Sequence, residues 1–415
     1  MARKQVIVAG SGPAGLAAAY NAALCGCQVT ICEQMARPGM KLLASGGNKC
    51  NVTNVLEMED FARRFGKNWR FLLPALRQFH GRTLLDFFST NGVELVKKDG
   101  FHYFPSSEKS SDVLNMWLEN LARLKVKIKT GCRVTRIFCE NDKVSAVEAG
   151  GEILSCDAVI LACGGKGYPA LGGLGNGYKL ARQVQHDVTD LYPAMTQVCV
   201  KEEWVKDCAG ISLSDAAVYI DLKGDRKCVE RGELLFTQNG FSAFAVLDLA
   251  GRVAQLLSQM PQVPIVVDFL PEKSEDELKN LFLNWHSTRG KKNVVSLLSE
   301  LFPKKLAAYL LDGTDCPASQ FKSSDMQKLA ANIKKHPFNA NGTGSWDKAM
   351  VTLGGVSLKN ISPDTLQSRL VSGVFFAGEL LDVTGPCGGF NITWAFASGT
   401  LAGISAADAP VKYEE

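Results

Sequence analysis

The chain has 415 residues, 46% hydrophobic and 21% charged, with a formal net charge of +4. That length exceeds one ordinary domain, and the balance is that of a globular protein with a sizeable core rather than a disordered or fibrous one. So mild a charge neither demands nor excludes a nucleic-acid partner, and the apolar stretches are too short or too interrupted by polar residues to span a membrane.

Thirteen cysteines are scattered with no Cys-x-x-Cys pair. This argues against a disulfide framework and against a metal site, and it fits a reducing, cytoplasmic setting. Strand character begins at Gln5, so no secretory leader is expected ahead of the fold.

Residues 5–33 carry the clearest pattern. The β-branched run Val6-Ile7-Val8 leads into Gly10-Ser11-Gly12-Pro13-Ala14-Gly15, then a small-residue helix over 16–23 and a strand over 28–32 that ends in Glu33. Gly10 suits the tight turn, Gly12 lets the backbone approach a pyrophosphate, and Gly15 lets helix pack on strand. The free N–H groups at the helix start attract phosphate. Glu33 stands 18 positions after Gly15, where a carboxylate accepts the adenosine ribose hydroxyls.

Next comes a basic stretch. Between Arg37 and Arg82 the only acids are Glu57, Glu59 and Asp60, and Phe61, Phe65, Trp69, Phe71 and Phe79 are interleaved with arginines and lysines. Two readings stand: a single-stranded nucleic-acid surface, or amphipathic helices with core aromatics and a solvated basic face. None of the five histidines sits in a motif whose spacing implies catalysis, so each is expected to be structural or exposed; the best placed is His102, in Phe101-His-Tyr-Phe-Pro105, because an aromatic loop of this kind can line a substrate pocket.

Two later segments favour FAD over NAD. Residues 157–165 read as a buried strand ending in Gly164-Gly165. Residues 373–379 read as another, followed by Gly385-Pro-Cys-Gly-Gly-Phe-Asn391 and a helix over 392–403. A C-terminal helix start aimed at the flavin pyrimidine end meets the negative charge that gathers there on reduction. Between these segments, residues 193–269 read as short strands and 271–335 as helices.

The sequence closely resembles the bacterial flavoproteins of the YhiN-like, BaiN/RdsA or aminoacetone-oxidase-like family of NAD(P)/FAD-dependent oxidoreductases, over nearly the whole chain. The resemblance rests on Gly39-Met-Lys-Leu-Leu-Ala-Ser-Gly-Gly-Asn-Lys-Cys-Asn-Val-Thr-Asn54, on Gly232 to Thr237, on Val351 to Val356, and on Ala377-Gly-Glu-Leu-Leu-Asp382 running into Gly388-Gly-Phe-Asn391. It implies an α/β fold: a Rossmann-like FAD-binding domain with an inserted β-barrel-like domain and a small helical domain. The expected boundaries are 1–192 plus 350–415 for the first, 193–270 plus 337–349 for the second and 271–336 for the third.

Three departures from the family pattern stand out. Asn48-Lys49 replaces the usual Gly-Arg, Cys163 replaces a Thr, and Gln238, Asn239 and Ser242-Ala-Phe244 stand where relatives carry a His and then Ser-Gly-Pro.

The expected cofactor contacts are Gly10, Gly12, Pro13, Ala14, Gly15, Glu33, Gln34, Lys41, Leu42, Val134, Ala162, Gly164, Gly378, Glu379, Asn391 and Ile392. Lys41 is expected either to neutralise pyrophosphate or to be a solvated surface lysine. Cys50, beside Lys49, is either a proton donor whose thiol a nearby cation makes reactive, or an inert residue packed under the flavin. Only one complete dinucleotide fingerprint is present, so NADH or NADPH is expected as a transient reductant.

The leading functional expectation is reduction of a C=C bond by hydride from flavin N5, on a small cyclic substrate that is steroid- or bile-acid-like by family label. The alternatives are a ribosomal RNA dihydrouridine synthase, with RNA contact through 37–82, and an amine oxidase that passes electrons to oxygen.

Overall fold

The computed structural model describes residues 3–223, 225–226 and 228–410. Two compact units emerge, Met1–Tyr192 with Val351–Glu415, and Pro193–Met350.

The first unit is organised by a five-stranded parallel sheet, in the order Val374–Phe376, Ala158–Leu161, Gln5–Ala9, Gln28–Cys32, Lys127–Lys129. Its central strands are apolar on both faces because the sheet is covered on both sides. The chain runs outward from Gln5–Ala9 through two strands, then returns to the other side of the first strand at Ala158–Leu161. The order therefore reverses beside Ala9 and Leu161, and such a switch point opens a crevice at the carboxyl ends of the strands.

The first helix, Pro13–Leu24, starts on proline, whose missing N–H would be unsatisfied there in any case. Its small side chains answer to one partner, the terminal helix Phe390–Ala406. A Cβ on Gly399 would lie 2.1 Å from the Ala14 carbonyl oxygen, and one on Gly403 would lie 2.3 Å from that of Ala18. The two helices thus run parallel with their backbones in direct contact.

The basic stretch folds into the short helices Met58–Arg63, Trp69–Gln78 and Gly81–Thr90. Phe61, Phe65 and Phe79 are buried, while Arg63, Arg64, Lys67, Arg70, Arg77 and Arg82 are exposed. The aromatics are core, as the amphipathic reading has it, and a run of exposed stacking rings is not what they form. Trp69 is half-buried, with Arg63 and Arg70 over its ring at 4.6 and 4.5 Å.

The second unit is built on a closed six-stranded barrel: Val198–Val200, Gly240–Ser242, Val229–Thr237, Ser212–Ile220, Val263–Asp268 and His336–Thr343, which pairs back on the first. Helix Phe244–Leu257 packs on it. Four more helices, Glu275–Thr288, Val294–Leu298, Lys304–Leu310 and Ser323–Lys334, share its apolar core. The first of these four begins with a capping box between Ser274 and Glu277.

Ala243, the residue standing in for the glycine of Ser-Gly-Pro, caps Phe244–Leu257 at φ 73° and ψ −177°. That conformation is essentially reserved for glycine, and a side chain there costs about 1–3 kcal/mol. Ala243→Gly is therefore expected to raise stability by about 1 kcal/mol in urea unfolding. Gly399→Ala is expected to lower it by about 1–3 kcal/mol, since the added methyl meets backbone rather than a yielding side chain.

Candidate FAD site

The site grows from the turn between the first strand and first helix. Gly10 holds φ +105°, and a Cβ there would lie 2.5 Å from the Ala162 carbonyl oxygen; Gly15 sits so close that its Cβ would strike the Gly10 oxygen at 1.9 Å. At Gly12 a Cβ would meet nothing within 4 Å, so this backbone faces open space. The helical ladder begins with Leu16 N–H on the Gly12 carbonyl, 2.9 Å. The amides before it point past the helix end, where partial positive charge gathers.

Glu33 lies beside this turn, 8% exposed. Its Oε2 accepts from the Ser11 N–H at 2.8 Å and the Ser11 hydroxyl at 2.5 Å, and its Oε1 accepts from the Met35 N–H at 2.7 Å. The carboxylate is thereby fixed before any ligand arrives, with lone pairs left for ribose hydroxyls. Gln34 bridges to the Gly172 carbonyl and to Asn176, at 2.7 and 2.9 Å. Pro13 and Ala14 form the helix start; Leu42, Val134 and Ala162 are buried apolar walls, and Gly164 turns the chain at φ +69°.

A second cradle lies at the start of the terminal helix. Gly389 caps it at φ +85°, and a Cβ there would lie 2.8 Å from the Thr53 backbone. Loop 45–54 is pinned to it: Asn54 Nδ2 donates to the Gly388 carbonyl at 2.9 Å, and Thr393 Oγ1 to the Val52 carbonyl at 2.9 Å. Asn51 Oδ1 and Thr53 Oγ1 are buried here with no hydrogen-bond partner. Orphaned polar atoms of this kind call for a ligand or water. Two helix starts, an oriented acid and these orphans suit the phosphates, ribose and polar ring edge of FAD. The residues present fit the cofactor.

Four of the expected cofactor contacts also bond to partners within the chain. Lys41 Nζ pairs with Glu379 Oε2 at 2.7 Å, both partly buried, and Glu379 Oε1 accepts the Thr352 N–H at 3.0 Å. Lys41 is therefore an ion-paired lysine rather than a bare cation or a fully solvated one, and Glu379 also braces the chain. Asn391 turns its amide back on its own loop, accepting from Gly385 N–H and donating to the Gly385 carbonyl, each at 2.9 Å. That leaves its backbone, with that of half-buried Ile392, in the first turn. Gly378 likewise donates its N–H to Ser398 Oγ at 2.9 Å.

Of the two expectations for Cys50, its surroundings favour the inert, packed one. It is wholly buried, and burial pushes its thiol up to about 12, with Ser45 only partly offsetting this. Lys49 does not activate it: that side chain is exposed and pairs with Glu108 at 2.9 Å. A cation adjacent in sequence is thus engaged elsewhere, and Cys50 itself sits in a left-handed backbone conformation, φ +59°.

Sequence reasoning missed Ser11, Asn51, Thr53, Asp99 and Thr393. All but Asp99 lie within or beside quoted motifs, so the signal was there, but it was read for its glycines and charges. The Asp99-Gly100 turn just ahead of the aromatic strand was the available signal for Asp99.

A family model described as HI0933-like protein Rossmann domain matches residues 4–405. The chain belongs to this HI0933-like family. The resemblance read from loop 39–54 is thereby shown, and the chain is a Rossmann-type FAD flavoprotein with oxidoreductase character.

Within reach of this HI0933-like chain is a 3-dehydro-bile acid delta(4,6)-reductase of Clostridium scindens, 35% identical over 97% of this chain and 99% of the relative. A ribosomal RNA dihydrouridine synthase of Escherichia coli is 27% identical over 96% of each. Among solved structures, a 3-ketosteroid delta1-dehydrogenase from Sterolibacterium denitrificans superposes with TM-score 0.53 at 12% identity, covering 98% of this chain and 100% of that one, a likeness of fold.

Among the described residues no helix is long and apolar enough to cross a membrane, and no group of three or more His, Cys, Asp or Glu is placed to hold a metal.

In native protein at pH 8, iodoacetamide is expected to label the exposed Cys25, Cys139 and Cys228 well before Cys50, read by peptide mass spectrometry. Labelling of Cys50 at a comparable rate would contradict its burial.

Proposed function

We propose that the chain is an FAD-dependent reductase that saturates a C=C bond conjugated to a carbonyl in a small polycyclic substrate, with NADH or NADPH as the transient electron source. The observation that carries it is the 35% identity, along 97% of this chain, to a reductase named for a 3-dehydro-bile acid. FAD, when bound, supplies two-electron hydride chemistry at its ring.

The chain's own residues do the holding. The turn at Gly10, Gly12 and Gly15 and the amides of Pro13–Leu24 receive the pyrophosphate, and Glu33 takes the ribose hydroxyls. The first turn of Phe390–Ala406 faces the polar ring edge, with Asn51 Oδ1 and Thr53 Oγ1 beside it. The half-buried rings of Phe101, just ahead of the adjoining strand His102–Pro105, and of Phe104 on it, both edge-on to His102, suit a flat apolar substrate. Cys50 is left a packing role.

A second reading, dihydrouridine synthesis in ribosomal RNA, draws on the exposed basic residues from Arg63 to Arg82 and on the 27% identical relative named for that activity. One anaerobic experiment separates the two. The yellow holoprotein with NADH or NADPH is given a 3-oxo-4,6-diene steroid acid, and in parallel unmodified ribosomal RNA. Loss of the extended dienone chromophore, with no dihydrouridine, is the expected result. Dihydrouridine with the steroid untouched moves the assignment to RNA, and turnover of neither overturns both.

A further inference from the structure

Reductive saturation needs a proton as well as a hydride, and with Cys50 buried the reading above lacks a donor. The hairpin formed by Leu95–Lys98 and His102–Pro105 brings one to the same place. At its turn Asp99 holds φ +48°, and its Oδ1 accepts the N–H groups of Phe101 and His102 at 3.2 and 3.1 Å. Oδ2 takes a hydrogen bond from His102 Nδ1 at 2.8 Å. One carboxylate thus fixes both the backbone and the ring, and fixes the tautomer as well.

With Nδ1 committed to Asp99, Nε2 points the other way. A Cβ built on Gly388 would lie 3.1 Å from it, and Gly388 directly precedes the cap of the terminal helix. Thr53, 2% exposed and with its hydroxyl orphaned, packs on the next glycine of the same turn. The imidazole is neither sealed in nor free: its side chain is 23% exposed, edge-on to Phe101 and Phe104.

The charged groups facing it are few. Asp99 is the carboxylate in contact. Lys98, across the hairpin, is held by Glu108 at 2.5 Å, and Glu108 also holds Lys49. The neighbouring strand offers the neutral Asn54, and the terminal helix has no acid in its first turn.

We propose that His102, oriented by Asp99, is the proton donor of the reductive step, its Nε2 facing the substrate beside the start of the terminal helix. This rests on the conjugated C=C reading. In that step the β-carbon of the enone gains a hydride from dihydroflavin and the α-carbon gains the Nε2 proton. The C=C π bond is lost, the substrate is reduced by two electrons and the flavin is oxidised. His102 is left neutral and recovers its proton from water. Asp99 is a positioning residue.

The test uses holoprotein carrying His102→Asn and, separately, Asp99→Asn. FAD content and thermal midpoint should match the parent in both, as should the rate of flavin reduction by NAD(P)H. Reoxidation of the reduced flavin by the dienone should fall about 10²–10⁴-fold in His102→Asn. The alkaline fall in that rate, present in the parent, should vanish. Asp99→Asn should slow the step less and displace that limb.

Equal reoxidation rates in parent and His102→Asn overturn the proposal while leaving the reductase reading intact. A parent that ignores the dienone defeats the reductase reading, and the donor's position is then judged by ligand binding alone. A phenolic steroid, an enolate mimic, should perturb the oxidised flavin spectrum of the parent with a pH-dependent affinity that His102→Asn abolishes. Indistinguishable binding in the two proteins places His102 away from the ring and overturns the inference.

Discussion

The contact on which the rest depends is the backbone-to-backbone packing of the first helix on the last. Glycine at 399 and 403 lets the terminal helix touch the Ala14 and Ala18 carbonyls, and nothing larger fits. The contact joins segments nearly 400 residues apart in sequence, and it fixes more than stability. Because the helices run parallel on this register, Phe390 lies ahead of Pro13 by about eight residues, or roughly 12 Å at a helical rise of 1.5 Å. Two positive helix starts therefore face the same way, one set ahead of the other. Their spacing suits the proposed placement of a dinucleotide, with its phosphates at the first and its ring at the second. A methyl group at either glycine would disturb the packing and the spacing of the two starts together.

Charge within the site is arranged before any ligand enters. Glu33 is satisfied by Ser11 and Met35, and Glu379 by Lys41 and the Thr352 amide. No naked carboxylate is left to repel phosphate, and the attraction comes from backbone amides. Preorganised dipoles of this kind cost no reorganisation on binding. Among the polar atoms left unsatisfied, Asn51 Oδ1 and Thr53 Oγ1 lie on the loop pinned to the start of the terminal helix, which suits a polar ring edge there.

What the sequence disclosed follows a physical divide. The Rossmann unit and the family were legible because their glycines stand in a short, fixed spacing between a strand and a helix, and two of them answer to local geometry: Gly10 by its positive φ and Gly15 by its approach to the Gly10 carbonyl. For the aromatics from Phe61 to Phe79 the sequence left two readings, a nucleic-acid surface or amphipathic-helix core, and the burial of Phe61, Phe65 and Phe79 decides for core. Pairings between distant segments were not legible. Nothing near Lys41 in sequence points to Glu379, so its charge was read as available. Cys50 is a similar case: Lys49 is adjacent in the chain, but its ammonium pairs with Glu108, far along the sequence. Asp99 and His102 are three residues apart, yet their pairing depends on a hairpin turn that polar composition alone does not announce. Ala243 shows the converse case. A departure from the family motif, visible only as a substitution, marks a backbone strained at a position made for glycine.

The central claim is that both ends of the cofactor are read, the adenosine ribose at Glu33 and the ring at the terminal helix. The most direct measurement is equilibrium reconstitution of the apoprotein with FAD and with FMN, followed by flavin fluorescence. FMN keeps the ring and one phosphate but lacks the adenosine half. The account predicts one FAD per chain, bound at least about 100-fold more tightly than FMN, a difference of about 2.7 kcal/mol. Equal affinities would mean that the first helix and Glu33 do not hold a dinucleotide, and would contradict it.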